Sequence, residues 1–311
     1  MVYGHLRQVL RWLKGAMGPE RFTPPAVPCP PLPSERGAVV FNADDFGMTE
    51  SVTRSIVEAT DKGVIRSTTA MVCRGNDKLI RKWAPHVNGG IGLHLQLTDG
   101  IPCLPASRIR SLVTDEGHFH RSPRTLAATT IDASELQAEW RAQLDRLRGL
   151  GIRPSHLDSH HHIHRNAAVL PVYLALAQEN KLAVRAGARW QMVAARQAGL
   201  YCCDHTEAAW VPAPASQTAC VNRISAVMSK HRGRVVEFVC HPARSASKYR
   251  PIAGDGTPGK VELETYCSKN LKDLLVGLGV ASISMTEMAA IMEQRASPVR
   301  SSQQSVHAEI H

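Results

Sequence analysis

The sequence predicts an α/β protein built as a (β/α) barrel, irregular or incomplete, with seven or eight strands. Strands and helices alternate from Ala38 to about Gln294, which favours a parallel sheet with helical crossovers. The polar residues able to do chemistry sit at or just past the apolar strand runs, where a barrel gathers its active site. No G-x-G-x-x-G or G-x-x-x-x-G-K-[ST] follows the first strand, which argues against the dinucleotide-binding and P-loop sheets.

Each element has a local reason. Ala38-Val39-Val40-Phe41 is an apolar, β-branched run, and Thr49 then caps a helix bearing Val52, Ile56 and Ala59 that Gly63 stops. Thr68 to Cys73 is a second strand, Asp77 to Ala84 a short helix and Ile91 to Leu97 a third strand. A segment without periodicity runs from about Thr98 to Ile131 and contains His118, His120 and Arg121, a candidate cover for the barrel mouth. Asp132 or Ser134 caps a helix with Leu136, Trp140, Leu144 and Leu147 on one face. Strands follow at His156–Ser159, Leu182–Arg185, Val235–Cys240 and Ala281–Met285. Helices are expected at Ala168–Ala177, Ser216–Lys230, Leu263–Leu278 and Thr286–Gln294.

The ends differ from this middle. Residues 1–36 form a basic, Pro-rich extension, with Leu6, Val9, Leu10, Leu13 and Met17 at helical spacing among Arg7, Arg11 and Lys14. Packing against the domain is the first expectation for it. A weak contact of residues 1–20 with a membrane surface or a partner is the other. Residues 37–295 are expected to be one barrel domain and 296–311 a fraying tail.

Composition bounds the function. Hydrophobic residues make up 43%, too many for a mainly disordered chain. No stretch approaches the roughly 20 apolar residues that cross a bilayer. Lys and Arg number 37 against 27 acids, a formal +10, yet aromatics are only 5% and no recognition motif accompanies the charge, so no nucleic-acid partner is expected. The eight cysteines contain no C-x-x-C pair, and Arg7, Arg11 and Lys14 interrupt any signal-peptide core. Reduced thiols in a cytoplasmic protein are the expectation, with a position peripheral to a membrane as the alternative. Homo-oligomerisation is left open.

Histidine is the unusual count, at 15, five of them between His156 and His164. Asp44 and Asp45 lie past the first strand, His94 near the end of the third, His160 after the fourth and His241 directly after Val235–Cys240. In Asn42-Ala43-Asp44-Asp45-Phe46-Gly47, one carboxylate can ligate a metal while its neighbour acts as a base; an Asx turn is the plainer alternative. If the backbone stays extended through Ser159, His156, Asp158 and His160 share one face and His161 points the other way. His94 alone would be an ordinary core histidine. With Asp45 and His160 it completes a two-His-one-carboxylate set that leaves positions open for water or substrate. Such ligands favour Zn²⁺ over Mg²⁺, although Fe²⁺ and other divalent metals remain open.

These blocks, with Ser67-Thr68-Thr69-Ala70, Gly92-Leu93-His94 and Cys240-His241-Pro242, resemble the YdjC-like carbohydrate deacetylase family. The resemblance runs in order from about residue 38 to 290. It implies a metal-dependent hydrolase on a barrel of the glycoside hydrolase and deacetylase kind, acting on N-acetylated amino sugars. It assigns Asp45, His94 and His160 to one divalent metal, Asp44 to the base and His241 to the acid that protonates the leaving amine. His156, Asp158, His162, His164 and Arg185 are expected behind the ligands or against substrate. Arg185 could instead be an ordinary surface residue. Ala243 stands where the family usually has Gly, which questions the turn after His241. A phosphoesterase on the same scaffold and a non-catalytic metal-binding protein are the alternatives.

Overall fold

In the computed structural model, which describes residues 36–127, 129–211, 215–244 and 257–296, eight parallel strands form one sheet. They are β1 (Ala38–Phe46), β2 (Ser67–Ala70), β3 (Gly90–Leu95), β4 (His156–Ser159), β5 (Ala183–Val184), β6 (His205–Glu207), β7 (Val235–Cys240) and β8 (Ala281–Ser282). Their order is β5-β4-β3-β2-β1-β7-β6, with β8 pairing only Ala38 and Val39 of β1. The two edges meet. Val184 N donates to Tyr201 O at 2.9 Å, Thr206 Oγ1 to Ala186 O at 3.3 Å, and Arg185 Nε to Glu237 Oε1 at 2.7 Å. The sheet thus curls into the expected irregular barrel. β1, β4 and β7 are buried along their whole length, as strands covered on both faces must be.

Helices cover the outside: α1 (Glu50–Asp61), α2 (Asp77–Trp83), α3 (Pro123–Ala127), α4 (Ala133–Gly149), α5 (Leu170–Asn180), α6 (Arg189–Gln197), α7 (Gln217–Lys230), α8 (Thr257–Cys267), α9 (Lys269–Leu278) and α10 (Met285–Ala296). The caps are those the side chains suggest. Thr49 Oγ1 accepts from Val52 N at 3.2 Å, and Asp132 Oδ1 accepts from Ser134 N and Glu135 N at 2.8 and 3.0 Å. Ser216 caps α7. Ser268 caps α9, and that cap is why the single helix expected at Leu263–Leu278 is two. The sequence reading also lacks α3, α6 and β6, and it stops β1 at Phe41, five residues early.

The barrel is polarised. At the strand starts, Ala38, Val40, Ala183 and Val235 pack with Ile283, Met285, Met288 and Met292, so the first turns of α10 plug the bottom with apolar side chains. At the other end the strands finish in Asp44, Asp45, His94, Asp158 and His160, all buried. One end of the barrel holds stability and the opposite end holds charge. No helix among the described residues is long and apolar enough to cross a membrane. The N-terminal extension and C-terminal tail lie outside the described residues, apart from Arg36 and Ala296.

Candidate metal centre and active site

The two adjacent aspartates diverge because β1 bends under them. Pairing with β2 shifts register between Ala43 and Phe46, and Asp45 takes a left-handed φ of 73°. A bulge re-aims the side chains it carries. Asp44 is thereby turned toward β5 and β7, and Asp45 toward β3 and the end of β4.

Asp44 meets Arg185, which is 1% exposed. The guanidinium forks onto both oxygens: Nη1 donates to Oδ2 and Nη2 to Oδ1, each at 2.7 Å. Nη1 also lies 2.9 Å from Asp158 Oδ2, while Nε reaches Glu237. Asn42 Nδ2 donates to Asp44 Oδ1 at 3.0 Å and to Asp158 Oδ2 at 3.2 Å. Burial works against the Asp44 charge, but Arg185, then His94 and His241, outweigh it and hold the carboxyl well below the usual range. Burial likewise raises Glu237 against the pull of Arg185. The surface role weighed for Arg185 is therefore corrected: its donors are spent on three buried carboxylates, which places it behind Asp44.

Asp45, His94 and His160 converge separately. Donor atoms from the three lie within 4.8 Å of one another. His94 Nε2 is 3.4 Å and His160 Nδ1 3.1 Å from Asp45 Oδ1. Two ligands about 2.1 Å from a tetrahedral ion lie about 3.4 Å apart, so this spacing suits one small cation. Asp158 Oδ1 sits 2.7 Å from His94 Nδ1. A carboxylate can only accept, so Nδ1 carries the proton, and a cation that displaced the proton on Nε2 would meet a lone pair facing the centre. Thr69 Oγ1 supports the same pair, 3.0 Å from Asp158 and 3.2 Å from His94. Burial disfavours a charged His94, yet Asp158 and Asp44 overcome it and lift the ring to about 10. Asp44, Asp158 and Glu237 share the one guanidinium of Arg185 and Asp45 has none, so a further positive charge is welcome here. Donor types, spacing and charge all fit a divalent metal.

The other histidines divide by environment. His156 Nε2 bonds Asn42 Oδ1 at 3.0 Å and its Nδ1 bonds Ser155 Oγ at 2.9 Å; burial lowers it to about 4. Gly92 makes room for it, since a Cβ there would stand 2.6 Å from the imidazole. His164 stacks on Tyr173 and bonds Ser159 at 2.6 Å. Burial lowers His162 to about 4 as well. His161 corrects the alternation argument. The strand ends at Ser159, and His161 and His162 take φ of 54° and 51°, so the chain doubles back and the His161 ring lies against that of His160, centroids 3.9 Å apart. Asp45, Asp99, His161 and His162 are four of the five non-glycine residues with positive φ among those described, and strain of about 1–3 kcal/mol each gathers where function does.

His241 Nε2 lies 3.8 Å from Asp44 Oδ2, across from the ligand cluster, and its backbone N donates to Glu262 Oε2 at 2.7 Å. Ala243 needs no glycine, because its φ is not positive; Gly259 supplies the close approach instead, its carbonyl accepting from Ala243 N. Beside the mouth, a cavity of about 640 Å³ is lined by Arg74, Asn76, Asp99, Ile101, His118 and Arg121, among others. Asp99 links cavity to centre, its Oδ2 being 3.9 Å from His160 Nε2. Sequence reasoning missed Asn42, Thr69, Asp99 and Glu237 as working parts. Glu237 carried a signal, an acid inside an otherwise apolar strand.

The comparisons with known proteins agree in direction. The profile of the family described as YdjC-like protein matches residues 38–276, a span holding every block named above. Carbohydrate deacetylases of Vibrio parahaemolyticus and Enterococcus faecalis are each 30% identical; the matches cover 82% and 81% of this chain and 96% and 98% of those relatives. A solved structure from Enterococcus faecalis, named as a cellobiose-phosphate cleavage protein, superposes with a TM-score of 0.71 at 28% identity, covering 82% of this chain and 100% of that one.

Proposed function

The chain belongs to the YdjC-like family, and on that premise we propose that it is a divalent-metal-dependent hydrolase that removes the N-acetyl group from an N-acetylated amino sugar or oligosaccharide. The observation that carries this reading is the joint placement of a three-donor cluster, Asp45, His94 and His160, beside a second carboxylate and histidine, Asp44 and His241, that face one another at 3.8 Å. Holding a metal needs the first set only; cleaving an amide needs the second as well.

A cation held by the three ligands supplies Lewis-acid polarisation of the acetamide carbonyl and makes water more acidic. The rest falls to the chain. Asp44 takes the proton of the attacking water. Arg185 keeps that carboxylate ionised and aimed, at the cost of intrinsic basicity, so the base is ready throughout the neutral range. His241 delivers a proton to the nitrogen as the C–N bond breaks, releasing acetate and a free amine. Asp158 holds the His94 tautomer. The left-handed turn at His161 packs one ring on His160 and limits its rotation.

Acetate release from N-acetylglucosamine oligomers, with Zn²⁺, Mg²⁺, Mn²⁺, Co²⁺ and Ni²⁺ supplied in turn, tests the reaction. Phosphate release from phosphate esters without acetate release would favour the phosphoesterase reading instead. Asp44→Asn is expected to lower kcat by about 10²–10⁴-fold, the usual worth of a general base, while metal content stays near wild type. Retention of most activity would refute the base assignment.

A further inference from the structure

Away from the ligand cluster, two thiols face each other. Cys73, three residues past β2, is fully buried, and Cys103, in the segment after β3, is half-buried. Their Sγ atoms are 3.8 Å apart. The backbone already brings the two segments together, with Ile101 N donating to Cys73 O at 2.9 Å. Closing to a disulfide needs the sulfurs to approach by under 2 Å, to about 2.05 Å. Glu139 lies 4.0 Å from Cys73 Sγ, which makes a two-thiol, one-carboxylate metal site the competing use of these groups. Two observations disfavour it. The Glu139 carboxylate is already filled, accepting from Cys103 N, Leu104 N and Gln143 Nε2, each at 2.9 Å. A guanidinium also stands on the other side, with Arg146 Nη1 3.9 Å from Cys103 Sγ.

We propose that Cys73 and Cys103 are a reversible dithiol–disulfide couple, closed by hydrogen peroxide, that stitches the segment after β3 to the end of β2. The half-buried Cys103 attacks a peroxide oxygen; the O–O bond breaks, one water leaves, and Cys103 becomes a sulfenic acid. Cys73 attacks that sulfur, the S–O bond breaks, and the departing hydroxide leaves as water with the Cys73 proton. Two thiols and one peroxide give one disulfide and two waters, and a small dithiol reverses the step by exchange. The division of labour suits the surroundings. The hydrogen bond from Cys73, against the opposing effect of burial and with help from Arg146, lowers the Cys103 thiol, whereas burial raises Cys73. A partly exposed thiol with a lowered pKa beside a buried partner able to resolve its sulfenic acid is the arrangement of redox-sensitive cysteines.

The stitch borders the mouth. Cys73 precedes Arg74, whose Nη1 holds Asp99 Oδ1 at 2.8 Å, and Asp99 reaches His160. The test uses the full chain treated with a small molar excess of peroxide, alkylated and digested. The expected result is one linked peptide pair joining Cys73 and Cys103, lighter by two hydrogens than the reduced pair. A rise in Tm of several degrees should accompany it, and dithiothreitol should reverse both. Cys103→Ser should abolish pair and shift together, and Cys73→Ser should trap a Cys103 sulfenic acid that dimedone labels. The proposal is overturned if both thiols of the wild-type chain stay alkylatable, or if Cys103 passes to the sulfinic acid with Cys73 still free. A second zinc per chain, lost in Cys103→Ser, would overturn it in favour of the metal site.

Discussion

Asp44 and Asp45 are neighbours in the chain, yet they belong to opposite designs. Asp44 joins a cluster whose cation is part of the protein: Arg185 forks onto it and also satisfies Asp158 and Glu237. Asp45 joins a cluster that has carboxylate and imidazole but no guanidinium, with its donor atoms within 4.8 Å of one another. Where the barrel must stay shut, the chain supplies a permanent cation with a rigid fork. Around Asp45, on the proposed reading, it leaves the cation to be supplied from outside. One bulge in β1 keeps the two apart, and Asp158 touches both, with one oxygen on His94 and the other on Arg185.

The comparison breaks most visibly if the permanent cation is removed. Arg185→Met should destabilise the fold by about 3–5 kcal/mol, the usual result of stripping one partner from a buried charge cluster, as read from equilibrium denaturation. Arg185→Lys should recover part of that, since it keeps the charge and loses the fork. An unchanged denaturation midpoint in Arg185→Met would mean that the cluster does not hold the barrel edges together.

The same contrast sets the next effects. His94→Ala and His160→Ala should each lose bound metal by elemental analysis, with a much smaller change in stability than Arg185→Met. Full occupancy in both would refute the ligand set. Asp158→Asn should fall between the clusters, weakening metal affinity by about 10–100-fold, as loss of a partner behind a ligating histidine does. Isothermal titration of the metal-free chain with Zn²⁺ measures it. Equal affinity in Asp158→Asn and wild type would detach Asp158 from the metal side and leave it to Arg185.

Much of this is legible in the sequence, and the residues show why. Apolar runs end where Asp44, His94, His160 and His241 begin, and a parallel barrel gathers such ends at one mouth. What stayed hidden depends on contacts across the barrel. β1 continues through Asn42, Asp44 and Asp45 because these polar residues bond His156, Asp158, Arg185 and His160 across the barrel, and no period along the chain reports a partner more than a hundred residues away. β6 is three residues long and reads His-Thr-Glu, with no apolar run to mark it. The turn at His161 reverses the alternation rule through a positive φ that histidine rarely adopts and that composition does not announce.

The smallest effect concerns His156, which lies behind the Arg185 cluster and touches no ligand. Burial lowers it from 6.5 to about 4, so below pH 6.5 the unfolded chain binds a proton that the folded chain refuses. Stability from this residue is therefore full above pH 6.5, falls as the pH drops toward 4, and changes no further below that. Roughly 1 kcal/mol should be lost by pH 5.5 on this account. His156→Gln keeps a hydrogen-bond donor for Asn42 and removes the titration, so its Tm should start lower at pH 7.5 and decline less between pH 7.5 and 5.5. Parallel curves for variant and wild type would place the acid sensitivity in another group, with the neighbouring His162, lowered to about 4 by its own burial, the next to be replaced.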